Sequence, residues 1–218
     1  MSAPQLAAFL DGLDDSWAGL SLTMPLKQSV LPLLRSVSVL ADQVAAANTV
    51  LLPARRGENT DVGGIVAALS DAGLRRVTRA VVLGGGATAR SALAALAQLG
   101  CTSPHLLVRS DPADTLAAAA RLGLTPTVSG WDPQALAGCD LLVSTVPPGA
   151  ADPMASFVID VPVLLDVVYA PWPTALARSC QGIVVSGADM LLHQAAAQVT
   201  LMTGRAAPVA AMRSALKG

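Results

Sequence analysis

Apolar residues fall along this chain in short runs separated by turn residues, and the pattern changes character part-way. Residues 18–23 (AGLSLT) read as a short strand ended by Pro25, and residues 26–46 as a helical stretch broken or kinked near Pro32. Residues 49–53 (TVLLP) read as a strand and Arg55-Arg56-Gly57 as a turn. Asp61 precedes an apolar helix over 62–72 that stops at Gly73. A basic, turn-like stretch over 74–79 follows, and then a regular alternation begins. Strands are predicted at 80–83, 105–108, 125–129, 140–145, 163–168 and 182–186. Helices are predicted between them at 87–99, 113–122, 133–138 and 173–179, and two more close the chain at 188–203 and 207–216. Strands alternating with helices imply right-handed βαβ units and a parallel sheet. The fold class expected is therefore α/β, a doubly wound parallel sheet joined to a smaller α/β unit. The larger domain is expected at 74–187, and the smaller at 1–73 with 188–218 returning to it.

Gly84, Gly85, Gly86, Ala87, Thr88 and Ala89 spell G-x-G-x-x-A directly after one predicted strand and at the start of a helix. That is the placement of a Rossmann dinucleotide fingerprint. The first glycine makes the tight turn, the second lets backbone approach a pyrophosphate, and the small third residue lets helix and strand pack closely. The helix N-terminus then meets the phosphates with free N–H groups. The end of the following strand distinguishes cofactors. An NAD site carries Asp or Glu there, bonded to ribose hydroxyls; this chain has Val108-Arg109-Ser110. A guanidinium at Arg109 suits a 2′-phosphate, so NADP(H) is the cofactor expected. A tight turn and a solvated strand-end arginine are the plainer readings.

Composition narrows the classes. With 218 residues and 53% hydrophobic content, the chain can bury real cores, and 13% charged residues argue against disorder. Net charge is −1 with no basic block, so no nucleic-acid footprint is expected. The charge-free stretch between Arg90 and Arg109 contains Gly100, Ser103, Pro104 and His105, and reads as helix, turn and strand rather than a membrane span. No signal peptide is seen. Cys101, Cys139 and Cys180 are odd in number and widely spaced, which fits neither a zinc site nor a disulfide framework and favours a cytoplasmic location. No metal is expected.

The chain has only two lysines, Lys27 and Lys217, against a heavy use of arginine. An arginine does not exchange protons near neutral pH, whereas a lysine can. Lys27 paired with Asp61 suits carbonyl reduction, the amine serving the oxygen and the carboxylate orienting the amine. Taken singly, Asp61 also reads as a helix cap, Asn48 as a turn residue, Gln194 as a satisfied core amide and Lys27 as a solvated helix residue. His105 and His193 read as structural.

Together the segments GLSLTMPLK, AAANTV, GENTD, VLGGGATAR, VRS, DLLVSTVP, DVVYAPWPT and GADMLLHQAAAQ resemble the shikimate dehydrogenase family, in that family's order. The resemblance implies Lys27 and Asp61 as the catalytic pair. It implies Thr23, Asn48, Tyr169 and Gln194 as binders of the hydroxyls and carboxylate of shikimate. Gly84, Gly85, Gly86, Ala87 and Thr88 would hold the pyrophosphate and Arg109 the 2′-phosphate, with Thr145, Val167, Gly187 and Met190 near the nicotinamide half. The reaction implied is reversible reduction of 3-dehydroshikimate by NADPH, in aromatic amino acid biosynthesis, by a monomer or homodimer. The chain departs from the family pattern in three places. It begins after the family's first strand–helix–strand and its Ser-x-Ser carboxylate motif, so a truncated substrate domain is expected. Val108 stands where the family has Asn, and a later Lys is absent. The glycine loop reads GGGAT rather than GAGGA. A nucleotide-binding protein without turnover, and a quinate or aminoshikimate dehydrogenase, are the alternatives.

Overall fold

The computed structural model describes residues 2–217. The chain opens with α1 (Ala3–Asp11), β1 (Gly19–Ser21) and α2 (Leu26–Ser29). Next come β2 (Ser36–Val37), α3 (Val39–Gln43), β3 (Thr49–Leu51), β4 (Arg56–Glu58) and α4 (Asp61–Asp71). The alternating part comprises β5 (Ala80–Leu83), α5 (Ala87–Gln98), β6 (His105–Leu107), α6 (Ala113–Arg121), β7 (Thr127–Ser129), β8 (Leu141–Ser144), β9 (Val163–Asp166), α7 (Ala175–Ser179) and β10 (Ile183–Ser186). Helices α8 (Gly187–Thr203) and α9 (Val209–Lys217) follow.

The six strands of the second part form one parallel sheet in the order β10-β9-β8-β5-β6-β7. This is the doubly wound order, whose direction of winding reverses between β5 and β8. The central strands AVVL, LLVS and VLLD are buried along their whole length, as a sheet covered on both faces requires. A second, four-stranded sheet runs β1-β3-β4-β2, with β1 and β4 antiparallel to β3 and β2 parallel to β4.

The predicted helical stretch over 26–46 is corrected. It divides into α2, a 3₁₀ turn over Leu31–Leu33, the two-residue β2 and α3. Pro32 breaks the first part, and the alternation S-V-S-V over 36–39 suits extended backbone, with Ser38 Oγ then capping α3 by accepting from Ala41 N at 3.3 Å. The turn assigned to 55–57 is also shorter than expected: Arg55 has φ of +48°, and β4 starts at Arg56. Helix α1 had no counterpart among the predicted elements; its Leu6 and Leu10 pack with Leu20, Leu22, Val30 and Val50 into the core of the small sheet.

Helix α4 joins the two sheets. It packs along α8 and against α5, so Val62, Ile65 and Leu69 share one continuous core with Leu93 and Leu96 of the large domain. Polar contacts reinforce the junction. Arg90 on α5 is only 1% exposed and has its Nε 2.7 Å from Val44 O and its Nη2 3.2 Å from Ala45 O. Arg121 Nε on α6 donates to Gln43 O at 2.9 Å, and Asn59 Nδ2 donates to Ser91 Oγ at 3.2 Å. Helix α8 begins with a capping box, Ser186 and Asp189 bonding each other's backbone, and ends at Gly204 in the left-handed conformation. This cap fixes where α8 leaves the large sheet to run beside α4. No described helix is long and apolar enough to cross a membrane.

Candidate active site in the cleft between the sheets

Between the two sheets lies a cleft of about 470 Å³. One wall carries Thr23, Lys27, Asp61 and Gln194; the other carries Thr88, Thr145, Val167, Tyr169, Gly187 and Met190. The volume is that of a small-ligand site.

The polar wall rests on Asp61 at the first turn of α4. Lys27 Nζ donates to Asp61 Oδ2 at 2.7 Å, although the two residues are 34 positions apart in the chain. The side chains are 12% and 4% exposed, so the pair sits at the edge of the cleft with the carboxylate beneath the amine. The second carboxylate oxygen accepts from Asn48 Nδ2 at 2.8 Å. That amide also faces Thr60 Oγ1 at 2.9 Å and Gln194 Oε1 at 3.1 Å, while Asn48 Oδ1 accepts from Thr60 N at 2.8 Å. Asn48 is 1% exposed and lies behind the wall rather than on it. Gln198, one turn beyond Gln194 on α8, donates to Asn48 O at 3.1 Å and Thr49 Oγ1 at 2.9 Å. Three distant segments are thereby fixed in one network, which holds Asp61 in a single position. Buried polar groups bonded this completely rigidify a site.

The opposite wall starts at the glycine loop, which follows β5 where the sheet reverses its winding. Gly84 has φ of +114°, and a Cβ there would lie 2.5 Å from Thr145 Oγ1, which itself donates to Leu83 O at 2.8 Å. Only glycine closes this turn without displacing β8. Thr115 Oγ1 donates to Gly85 O at the loop's second glycine. Gly86 is the N-cap of α5. No side chain bonds the first N–H groups of α5, its first turn holds no acid, and a Cβ on Gly86 would meet nothing within 4 Å. An open cradle under an uncapped 12-residue helix fits a pyrophosphate, with the residues to hold it being Gly84, Gly85, Gly86, Ala87 and Thr88. At the other end, a Cβ on Gly187 would overlap the Val167 carbonyl, so α8 starts in direct contact with the end of β9.

Arg109 lies just past the end of β6 outside the cleft lining, its guanidinium carbon over the ring of Trp131, 4.7 Å from the ring centroid. The buried carboxylate of Asp166, at the C-terminal end of β9, is pushed above the usual carboxylate range by burial, opposed by the hydrogen bond from Thr174 Oγ1 at 2.7 Å and the one from Val168 N. It anchors both ends of the segment carrying Tyr169, whose side chain is 57% exposed at the cleft rim.

Sequence reasoning therefore named ten residues that line the cleft and placed Asn48 beside them. It missed Thr115, Arg90 and Trp131. Thr115 has the signal of a lone hydroxyl on an Ala-rich helix face; Arg90 and Trp131 have none that a single chain reveals. Among the described residues, no cluster of His, Cys, Asp or Glu could hold a metal ion, and all three cysteines are free thiols.

A six-stranded doubly wound sheet, an uncapped glycine loop at its reversal and a facing polar wall define a two-domain Rossmann-type dinucleotide-binding protein. Comparison with known proteins narrows the class. Residues 1–50 match the shikimate dehydrogenase substrate binding domain, and residues 187–217 the shikimate 5′-dehydrogenase C-terminal domain. The chain is 36% identical to shikimate dehydrogenase (NADP(+)) of Moorella thermoacetica over 97% of this chain and 79% of that protein. It superposes on the crystal structure of Mycobacterium tuberculosis shikimate dehydrogenase with a TM-score of 0.91 at 37% identity, covering 100% of this chain and 85% of that one. The Thermus thermophilus shikimate 5-dehydrogenase, solved in complex with NADP(H) and shikimate, gives 0.86 at 29% identity, again covering 100% and 85%. The chain belongs to the shikimate dehydrogenase family.

Proposed function

We propose that this protein reversibly reduces 3-dehydroshikimate to shikimate with NADP(H). The observation that carries the reading is the 2.7 Å Lys27–Asp61 pair on one wall of the cleft, facing Thr88, Val167 and Gly187 on the other. Relatives named as NADP(+) shikimate dehydrogenases, and a related structure holding NADP(H) and shikimate, support the choice of substrate and cofactor.

Bound NADP(H) supplies or accepts the hydride. The protein's own residues handle the oxygen and its proton. In the reducing direction Lys27 Nζ donates a proton to the carbonyl oxygen; in the reverse direction it takes the hydroxyl proton. Asp61 fixes the amine through its 2.7 Å bond and turns its remaining acceptor capacity towards a substrate hydroxyl. Asn48 holds Asp61 and Gln194 in register from behind. Thr23, Tyr169 and Gln194 present a hydroxyl, a phenol and an amide to the ring hydroxyls and carboxylate of the substrate. Thr145, Val167, Gly187 and Met190 form the shelf for the nicotinamide, and Arg109 takes the 2′-phosphate. The working division is a substrate domain over 1–73 with 188–218, and a cofactor domain over 74–187. Free thiols suit the reducing cytoplasm, and the assembly is a monomer or homodimer.

The test is steady-state oxidation of shikimate by NADP⁺, followed by NADPH absorbance, with quinate as a parallel substrate. Saturable turnover on shikimate is expected, with kcat/KM higher than on quinate. Folded protein that binds NADP⁺ yet forms no NADPH would overturn the reading, and preference for quinate would replace the substrate.

A further inference from the structure

Trp131 has no place in the reading above, and nothing in its sequence context marks it. It follows β7, in the turn leading to the 3₁₀ segment Pro133–Leu136. Its ring lies 4.7 Å below the guanidinium of Arg109, which comes from the end of the neighbouring strand. The indole is partly buried against the second core cluster of the large sheet, which fixes its plane.

We propose that Trp131 is a specificity-determining positioning residue that holds Arg109 in the orientation needed to select a 2′-phosphorylated adenosine. The inference rests on the assignment of Arg109 to the 2′-phosphate. A guanidinium donates all its hydrogen bonds in its own plane, and its faces donate none. An aromatic ring against one face therefore orients the group without occupying a donor. A carboxylate partner would orient it equally well but would consume the fork that a phosphate needs. Three aspartates lie nearby in sequence, Asp111, Asp114 and Asp132, yet no ion pair with Arg109 forms among the described residues. Asp111 Oδ1 accepts from Ala113 N at 3.1 Å and Asp132 Oδ1 from Gln134 N at 2.9 Å, so two of these acids are occupied by their own turns. Arg109 is thus exposed and without an ion-pair partner among the described residues, its guanidinium carbon lying over the Trp131 ring. Val108, packed against Gly85, donates nothing from its side chain, so Arg109 is the cation at this strand end that can meet a phosphate.

The experiment measures affinity by calorimetry, independent of turnover, for adenosine 2′,5′-bisphosphate and for adenosine 5′-monophosphate. The variants are Trp131→Leu, Trp131→Phe, Arg109→Met and the double substitution Trp131→Leu/Arg109→Met. In Trp131→Leu the affinity for the bisphosphate is expected to fall about two- to five-fold, the range of an exposed cation–π contact, with the monophosphate unchanged. Trp131→Phe, which keeps an aromatic face, restores most of the loss. In the Arg109→Met background the Trp131 change has no further effect, because the interaction it served is already gone. Equal weakening of both ligands in Trp131→Leu, or no weakening of either, overturns the role of Trp131 while leaving Arg109 as the phosphate ligand. An unchanged preference in Arg109→Met overturns the phosphate assignment itself, and the proposal with it.

Discussion

Replacing Lys27 with Met removes the amine while keeping most of the side chain's length and apolar stem. Two effects follow, and their sizes separate them. The first is on stability. Asp61 loses its 2.7 Å partner but keeps the 2.8 Å bond from Asn48 Nδ2, and the cleft edge admits water to the vacated oxygen. A charge-assisted hydrogen bond in this setting is worth about 1–3 kcal/mol. For a chain of this size each kcal/mol moves Tm by roughly 2–4 °C, so the variant melts several degrees lower and remains folded at 25 °C. The second effect is on rate. Loss of a positioned proton donor costs about 10²–10⁴ in kcat. Because the group acts on the developing alkoxide, kcat and kcat/KM fall together, and NADP⁺ affinity stays within about two-fold. Steady-state kinetics on shikimate, calorimetric titration with NADP⁺ and a thermal melt, all on one preparation, check the three parts. Lys27→Arg sharpens the result: it keeps the charge but cannot exchange the proton, so it is expected to be as slow as Lys27→Met. Activity within ten-fold of wild type in either variant would refute proton transfer by this residue.

Gly187→Ala forces a Cβ into the Val167 carbonyl, so the start of α8 must separate from the end of β9; NADP⁺ affinity should weaken by about ten-fold or more, read by titration. Leu93 is fully buried on α5 within the core that the large sheet shares with α4, and Leu93→Ala should cost about 2–5 kcal/mol, lowering Tm by on the order of 10 °C in a melt. Asp71 is held below the usual carboxylate range first by the hydrogen bond with His193 and then by Arg213, despite the partial desolvation that opposes them. A lowered carboxylate pKa stabilises the fold above the unfolded value and loses that contribution as pH falls through the folded one. The Tm gap between wild type and Asp71→Asn should therefore be present at neutral pH and close as the solution is acidified below about pH 4, in a series of melts.

How far the chain disclosed its structure depended on whether a feature is local. AVVL and the VLL of VLLD are apolar on both faces, the pattern of a short strand covered on both sides, and Gly100 ended α5 within a residue of its expected stop. The 26–46 stretch misled because apolar residues at helical spacing outnumbered the signals of Pro32 and the S-V-S-V alternation, and because two-residue strands exist only through their partners. Lys27 and Asp61 were legible as candidates through residue type and through resemblance, but their 2.7 Å contact depends on how the small sheet folds. Arg90 was unreadable for the same reason. Its partners are the carbonyls of Val44 and Ala45, some 45 positions away, and a backbone acceptor leaves no mark in a sequence.

The proposed reaction requires the Lys27 amine at the oxygen that gains or loses the proton, with the Asp61 carboxylate beside it at a neighbouring hydroxyl. A crystal structure with shikimate and NADP⁺ bound tests it most directly. The reacting hydroxyl is expected within hydrogen-bond distance of Lys27 Nζ and a neighbouring hydroxyl on Asp61, with the nicotinamide against Val167 and Gly187. Shikimate seated away from that pair, or a nicotinamide lying outside the cleft, would contradict it.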